Sequence, residues 1–334
     1  MANLYITEQN AIIRKTGNRL IVKKDKTVLL DVPCHKVGAV LIFGNVQFTT
    51  QVVHEMMEHG IEMAILTRNG RLIGQLTSPF TKNAMLRIAQ FRKFENDEFK
   101  LKLSQRIVKA KIKNSLNLIK RFSANHPEID LKAAMASLKS KVDNDILSAD
   151  TIGTLLGVEG TAARIYFAAF GRMLIGAPSF EGRKKRPPTD PVNAILSFSY
   201  TIVFNEIASL LDGLGFDPYV GFFHKPDYGR ASLAADLIEE FRAPLADRLT
   251  LNLFNRKIFV DKSFKNNPKN RAVYLTRKSM KRYFAEYEKI ISSEFVHPHT
   301  GRTTTLRKSI RKQAHQMAAT IMNDTPYEPF ELTV

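Results

Sequence analysis

The 334-residue sequence is poor in several things at once: it has one cysteine, no tryptophan, and 32 Asp plus Glu against 50 Lys plus Arg. Cys34 alone cannot close an intrachain disulfide, so a reducing compartment is expected. The longest uninterrupted apolar stretches, such as Ala39 to Phe43, fall far short of the roughly 20 residues that span a bilayer, and neither a transmembrane segment nor a membrane partner is expected. The start Met1-Ala2-Asn3-Leu4 lacks the charged and then apolar pattern of a signal peptide, which makes the cytoplasm the expected location. No Walker or dinucleotide glycine pattern occurs, so nothing argues for nucleotide-driven chemistry. The shortage of acids leaves a net charge of +18. A positive field of that size attracts polyanions.

What is present is an ordinary folded composition, 44% hydrophobic and 25% charged. Short β-branched or aliphatic runs bounded by turn residues cover Asn3 to Ile6, Ala11 to Lys15, Arg19 to Lys23, Thr27 to Val32 and Ala39 to Phe43. A short helix over Val46 to Gly60, with Thr50 as cap, separates them from Ile61 to Leu66 and Arg71 to Leu76. Asn69-Gly70 between these last two is a hairpin signal. Beyond Pro79 long helical patterns take over, as in Leu101, Val108, Ile112, Leu116 and Ile119, the apolar stripe of a helix whose other face is rich in Lys and Arg. Further helices are expected at 131–142, 161–175, 190–211, 232–241, 244–259, 277–295 and 303–323. The expected fold is therefore α+β and multidomain, with a small mainly β domain at residues 1–82, a linker at 83–98 and a larger all-α domain at 99–334.

Three segments carry candidate chemistry. In Gly157-Val158-Glu159-Gly160, read as the opening of a helix, flanking glycines leave the Glu159 carboxylate uncovered; the same residue could merely offset the helix dipole. Downstream, Leu233, Leu237 and Phe241 form a buried stripe, which puts Asp236 and Glu239 together on another face, with His224 in a Gly- and Pro-containing loop just upstream. One nitrogen and several hard oxygens suit Mn²⁺ or Mg²⁺ better than a closed zinc site. The alternative is a solvated acidic face beside a core histidine, and Glu240, about 100° round from Glu239, reads as plain surface. In the third segment Asp190 caps a helix with Pro191 at its first position, and Asn193, Ser197 and Tyr200 make a polar stripe that either satisfies itself or faces a phosphate. His54 and His59, five apart, cannot share the helix face that a zinc protease needs. Basic residues gather at Lys109, Lys111, Lys113, Lys120 and Arg121, at Arg183, Lys184, Lys185 and Arg186, and at Arg307, Lys308, Arg311, Lys312 and His315. Together they point to phosphate-backbone contacts rather than base reading.

The motifs Glu-Gly-x-x-Ala-Arg-x-Tyr, Asp-Pro-x-Asn-Ala-x-Leu-Ser-x-x-Tyr, and Gly-Phe-x-His followed by Gly-Arg-x-Ser-Leu-x-x-Asp-Leu-x-Glu-x-Phe-Arg occur in that order behind a β domain. In this the chain resembles the first CRISPR-associated core protein family, the metal-dependent DNA endonuclease and integrase of spacer acquisition. The resemblance implies that Glu159, His224 and Glu239 hold a divalent metal, Mg²⁺ or Mn²⁺, with Asp236 as a supporting or additional catalytic acid. It implies that Arg164, Tyr166, Asn193, Tyr200, Lys225, Arg230 and Ser232 line the DNA end. It also implies a reaction in which a 3′-hydroxyl attacks a phosphodiester of the CRISPR array, and as partners double-stranded DNA, a second copy joined through the β domain, and the small second acquisition protein in a heterohexamer-type complex. The alternative is a general metal-dependent nuclease acting on branched DNA or RNA.

Overall fold

A computed structural model describes residues 2–76, 83–178, 180–184, 187–268, 270–297 and 300–332. Lys185 and Arg186 of the basic loop lie outside the described residues. The chain forms two compact units, one of residues 1–82 with 275–288, the other of residues 83–274 with 289–334.

The first unit opens with strands β1 (Ala2–Ile6), β2 (Ala11–Thr16), β3 (Arg19–Lys24), β4 (Thr27–Pro33), β5 (Val37–Phe43) and β6 (Val46–Phe48), then helix α1 (Thr50–Glu58) and strands β7 (Glu62–Leu66) and β8 (Leu72–Leu76). They make two four-stranded sheets, ordered β1-β5-β7-β8 and β4-β3-β2-β6. Alternation dictates which side chains face inward, as in β2, where Ala11 and Ile13 are buried and Ile12 between them is less so. Ile13, Leu20, Val22, Val40, Ile42, Val52, Met56 and Met63 build a single core. Burying each such side chain stabilises the fold by roughly 1.5–3 kcal/mol. The Asn69-Gly70 hairpin is present, with Gly70 at φ 89°, a value glycine adopts without steric cost. The expected helix from Val46 starts later: residues 46–48 pair with β2 instead, and the helix follows Thr49.

The second unit contains α2 (Ala84–Glu95), α3 (Asp97–Asn125), α4 (Lys132–Ser140), α5 (Ile152–Met173), α6 (Pro191–Leu214), α7 (Ser232–Ile238) and α8 (Arg248–Asn255). The chain continues through β9 (Phe264–Asn266), β10 (Val273–Leu275), α9 (Arg277–Ser292), most of which belongs to the first unit, β11 (Glu294–Val296), β12 (Thr303–Thr305) and α10 (Leu306–Asn323). The mainly β start and helical remainder match the expected fold class, with two short two-stranded ladders added among the helices. Residues 83–98, expected as a linker, fold as α2 and the start of α3, and Gln90 is buried with its amide donating to Asp217 and Val220 carbonyls. α6 is long and apolar enough to cross a membrane by length and composition, but 56% of its most apolar window is buried inside the protein.

Two features of this unit set up the site. Every residue of α7 is buried, as expected of a helix apolar on nearly all sides. It cannot run on as a regular helix, because Pro244 has no N–H to donate, and the chain widens into a π-type turn over Arg242–Asp247. Beyond α10, residues 327–332 run as a strap along α3. The Asn114 side-chain amide donates to the Glu240 and Phe330 carbonyls and its oxygen accepts from Leu332 N, all at 2.8 Å. Arg106 donates to the Tyr327 carbonyl at 2.7 Å, and Phe330 stacks on Phe241.

Candidate active site

α5 begins with a reciprocal cap between Thr151 and Thr154, each backbone N–H donating to the other's hydroxyl. Glu159 therefore lies two turns inside the helix rather than at its opening, and the helix dipole, felt within the first turn, is not what it answers. Its carboxylate turns to α3, where Lys111 donates to Oε1. Lys111 is thus not part of the solvated basic face; its side chain is only 14% exposed.

Glu239 approaches the same ammonium from the turn after α7. Its Oε2 lies 2.7 Å from Lys111 Nζ, and its Oε1 lies 2.9 Å from Arg242. Both oxygens of this buried carboxylate therefore face cations, Oε2 the Lys111 ammonium and Oε1 the Arg242 guanidinium. Burial pushes the Glu239 carboxyl up, but Arg242, Lys111 and His224 more than offset it and hold the pKa at about 2.

His224 is the third member. Its Nδ1 is 2.8 Å from Asp236 Oδ1, and its Nε2 is 3.8 Å from Glu239 Oε1. Asp236, with no solvent exposure, also accepts from the backbone N–H groups of Phe222, Phe223 and His224 at 2.6–3.0 Å. Both its oxygens are committed to the loop that carries the imidazole. An Nδ1–H donated to Asp236 leaves the Nε2 lone pair facing Glu239. Gly221 lets that loop approach α7, since a Cβ there would sit 2.6 Å from the Ser232 carbonyl carbon.

Glu159, Glu239 and His224 Nε2 offer carboxylate oxygens and one imidazole nitrogen, a donor set that suits a hard divalent ion. Among the described residues no three His, Cys, Asp or Glu side chains form a ready-made metal cluster. The two carboxylates instead converge on the Lys111 ammonium.

Next to these groups is a cavity of about 630 Å³, lined in part by Glu159, Arg164, Phe167, Arg183, Arg242 and Asp247. Asp247, which sequence reasoning missed, accepts from Tyr166 at 2.8 Å and from Tyr200 at 2.6 Å. Burial pushes Asp247 up to about 6 against the opposing effect of those hydroxyls and of Arg242 and Arg183. A signal existed: a lone acid among Ala243, Pro244, Leu245, Ala246 and Leu249 is an acid in a core segment. Both guanidiniums lie over the Tyr200 ring, Arg242 at 4.8 Å and Arg183 at 5.3 Å. Arg183 also donates to Asn193 Oδ1 and Ser197 Oγ, and Lys184 N donates to Asn193 Oδ1. The polar stripe of α6 thus holds the 182–184 loop. Asp190 caps α6 as expected, accepting from Asn193 N at 2.8 Å.

Lys225 and Arg230 belong to the loop around the exposed Tyr228, and the buried Ser232 donates to the Lys225 carbonyl. Glu240 corrects the expectation of plain surface. It is wholly buried and accepts from Tyr327 O–H at 2.5 Å, Phe330 N at 2.6 Å and Gln313 at 3.2 Å. Gln313 of α10 and the strap residues Tyr327 and Phe330 cover it, and helical spacing carries no information about that cover.

The family model for the CRISPR-associated protein Cas1 matches residues 4–289. A Thermus thermophilus protein described as CRISPR-associated endonuclease Cas1 3 is 33% identical over 98% of this chain and 96% of its own length. Among solved structures, a casposase bound to integration product superposes with TM-score 0.85 at 21% identity, covering 99% of this chain and 93% of that one. A chain of a Cas6-RT-Cas1–Cas2 complex gives 0.81 at 26% identity, with 99% of this chain matching 36% of that one. A β-rich N-terminal region, a helical remainder with converging acids and a histidine, and this likeness over nearly the whole chain lead to one assignment: the chain belongs to the Cas1 family of CRISPR-associated endonucleases.

Proposed function

We propose that this endonuclease inserts short duplex DNA fragments into the CRISPR array, using Glu159, Glu239 and His224 Nε2 to hold Mg²⁺ or Mn²⁺. The observation that carries the reading is the convergence of these side chains from three separate segments, α5, the turn after α7 and the 221–225 loop. When bound, the ion polarises a phosphodiester oxygen and stabilises the charge of the transition state. Asp236 orients the imidazole and fixes its tautomer. Arg242 keeps Glu239 ionised and aimed.

Arg164 and Arg183, on the wall of the cavity, with Lys184, Lys225 and Arg230 beyond it, supply positive charge for the phosphate backbone. Tyr166, Tyr200, Asn193 and Ser232 shape that DNA-facing wall rather than donate freely, since their polar groups already have partners. With a 3′-hydroxyl as nucleophile the product is strand transfer; with water it is cleavage. Partners in this reading are double-stranded DNA, a second copy through the β unit of residues 1–82, and the small second acquisition protein, Cas2, in a heterohexamer-type complex. The likeness to a casposase bound to integration product and to a chain of a complex containing Cas1 and Cas2 supports this direction. The site of action is the cytoplasm, where the array is.

The test uses Glu159→Gln and His224→Ala with array plasmid, short duplexes and Cas2. Loss of Mn²⁺-dependent cleavage and of insertion, with duplex binding kept, is expected. Unchanged insertion by either variant would overturn the site, and insertion at random positions would favour a general nuclease acting on branched DNA or RNA.

A further inference from the structure

Two of the three side chains proposed to hold the divalent ion already share a cation that belongs to the protein. Lys111 Nζ pairs with Glu159 Oε1 and with Glu239 Oε2, while Arg242 occupies the other oxygen of Glu239. Two carboxylates thus face two cationic side chains, and their charges balance before any ion enters. A buried pair of this kind is strengthened by the low local dielectric. A divalent ion that took the facing oxygens of Glu159 and Glu239 would meet the ammonium there, and like charges a few ångströms apart repel strongly in such surroundings. One of the two cations must leave.

Lys111 is the one able to move. Arg242 is stacked on Tyr200 and held beside Asp247 by the turn that carries it. Lysine has a flexible four-carbon stem and a point charge with three rotatable donors. Lys111 also lines the cavity together with Arg164, Arg183 and Arg242. An ammonium released into a wall of guanidiniums is stable only if an anion enters with it, and the anion chemically suited to that wall is a nucleic-acid phosphate.

We propose that Lys111 is an internal cation that competes with the divalent ion for Glu159 and Glu239 and is released to a DNA phosphate, so that metal and DNA each tighten the other's binding. This rests on the metal-endonuclease reading above. The coupling is reciprocal by thermodynamic necessity.

The experiment measures Mn²⁺ binding to the full chain by titration calorimetry, with and without a duplex whose 3′ ends are dideoxy and cannot react. For the natural chain the duplex is expected to tighten Mn²⁺ binding at least about fivefold. In Lys111→Met, which keeps the stem and removes the charge, duplex-free Mn²⁺ binding is expected to be at least about tenfold tighter, as one charge-assisted contact no longer competes. The effect of duplex should shrink to what a phosphate oxygen beside the ion contributes by itself. Lys111→Arg, which keeps a cation, should stay near the natural affinity without duplex. Lys111→Gln serves as a second neutral variant, and circular dichroism establishes that each is folded.

Folded Lys111→Met and Lys111→Gln that bind Mn²⁺ no tighter than the natural chain would overturn the inference, as would an undiminished effect of duplex. Glu159→Gln and Glu239→Gln separate the two levels. If they lose Mn²⁺ while the Lys111 variants gain nothing, only the role of Lys111 fails. If they bind Mn²⁺ like the natural chain, or if no chain binds it, the metal site itself fails and the inference with it.

Discussion

His224 presents Nδ1 to Asp236 at 2.8 Å and Nε2 to Glu239 at 3.8 Å, so one imidazole links two carboxylates that lie three residues apart in sequence. Asp236 is occupied by the loop that carries the imidazole and Glu239 by the Lys111 and Arg242 cations, which divides their labour without reference to any ion. Asp236→Asn would remove the carboxylate that fixes the tautomer while keeping its size. Mn²⁺ affinity is expected to fall about 10- to 100-fold, the usual effect of losing such a partner, with little change in duplex binding measured without metal. Calorimetry at fixed pH checks this, and an unaltered affinity would show that the imidazole needs no such partner.

Arg242 pairs with Glu239 at 2.9 Å and covers Tyr200. Arg242→Met leaves Glu239 buried with one cation fewer, and a destabilisation of about 3 kcal/mol is expected from breaking a largely buried pair. Lys at this position should restore only part of it, since an ammonium does not stack as a planar guanidinium does. Urea unfolding of the three chains measures both effects.

Asp247 supplies a pH dependence of stability. Burial raises its pKa from the ordinary 3.8 to about 6, so the folded chain holds a proton that the unfolded chain has released between those values. Its contribution is fully present below about pH 3.8 and is lost as pH rises through about 6, with a span of about 3 kcal/mol. Asp247→Asn keeps an acceptor for one tyrosine hydroxyl and abolishes the titration. The difference in melting temperature between pH 4.5 and 7.5 should therefore be smaller in the variant than in the natural chain.

Gly221 is the close-approach point of the loop that carries His224. A methyl group there would collide with the Ser232 backbone, which cannot yield cheaply because it opens the wholly buried α7. Gly221→Ala is expected to cost about 1–3 kcal/mol and to weaken Mn²⁺ binding along with it. A variant as stable and as tight-binding as the natural chain would show that the loop has slack.

Much of this was legible in the sequence where a period or a turn rule applied. The strands of the first unit other than β6 followed from short β-branched or aliphatic runs bounded by turn residues, the β7–β8 hairpin from Asn69-Gly70, and the α6 start from Asp190 and Pro191. Glu159, His224, Asp236 and Glu239 stood out by residue type and local context. Lys111 did not, because a helix rich in lysine gives no sign of which one turns inward until α5 and the turn after α7 are placed beside it. Glu240 reads as surface from the helical angle alone, because the segments that cover it, α10 and the strap, come 73 to 90 residues later in the chain. Asp247 and the strap depend on contacts between residues far apart in sequence, which no local pattern encodes.

The strap sets a time of completion. Among the described residues the Glu240 carboxylate accepts from Gln313, Tyr327 and Phe330, and Asn114 bonds Phe330 across 216 residues of chain. A ribosome adding about 5–20 residues per second needs on the order of ten to forty seconds to cover that interval. Over the last 90 residues of it, about five to twenty seconds, α3 and the acidic turn both exist without the segment that saturates Glu240. The acidic turn of a newly made chain can therefore reach its final packing only after residue 330 has emerged, long after its own residues were synthesised.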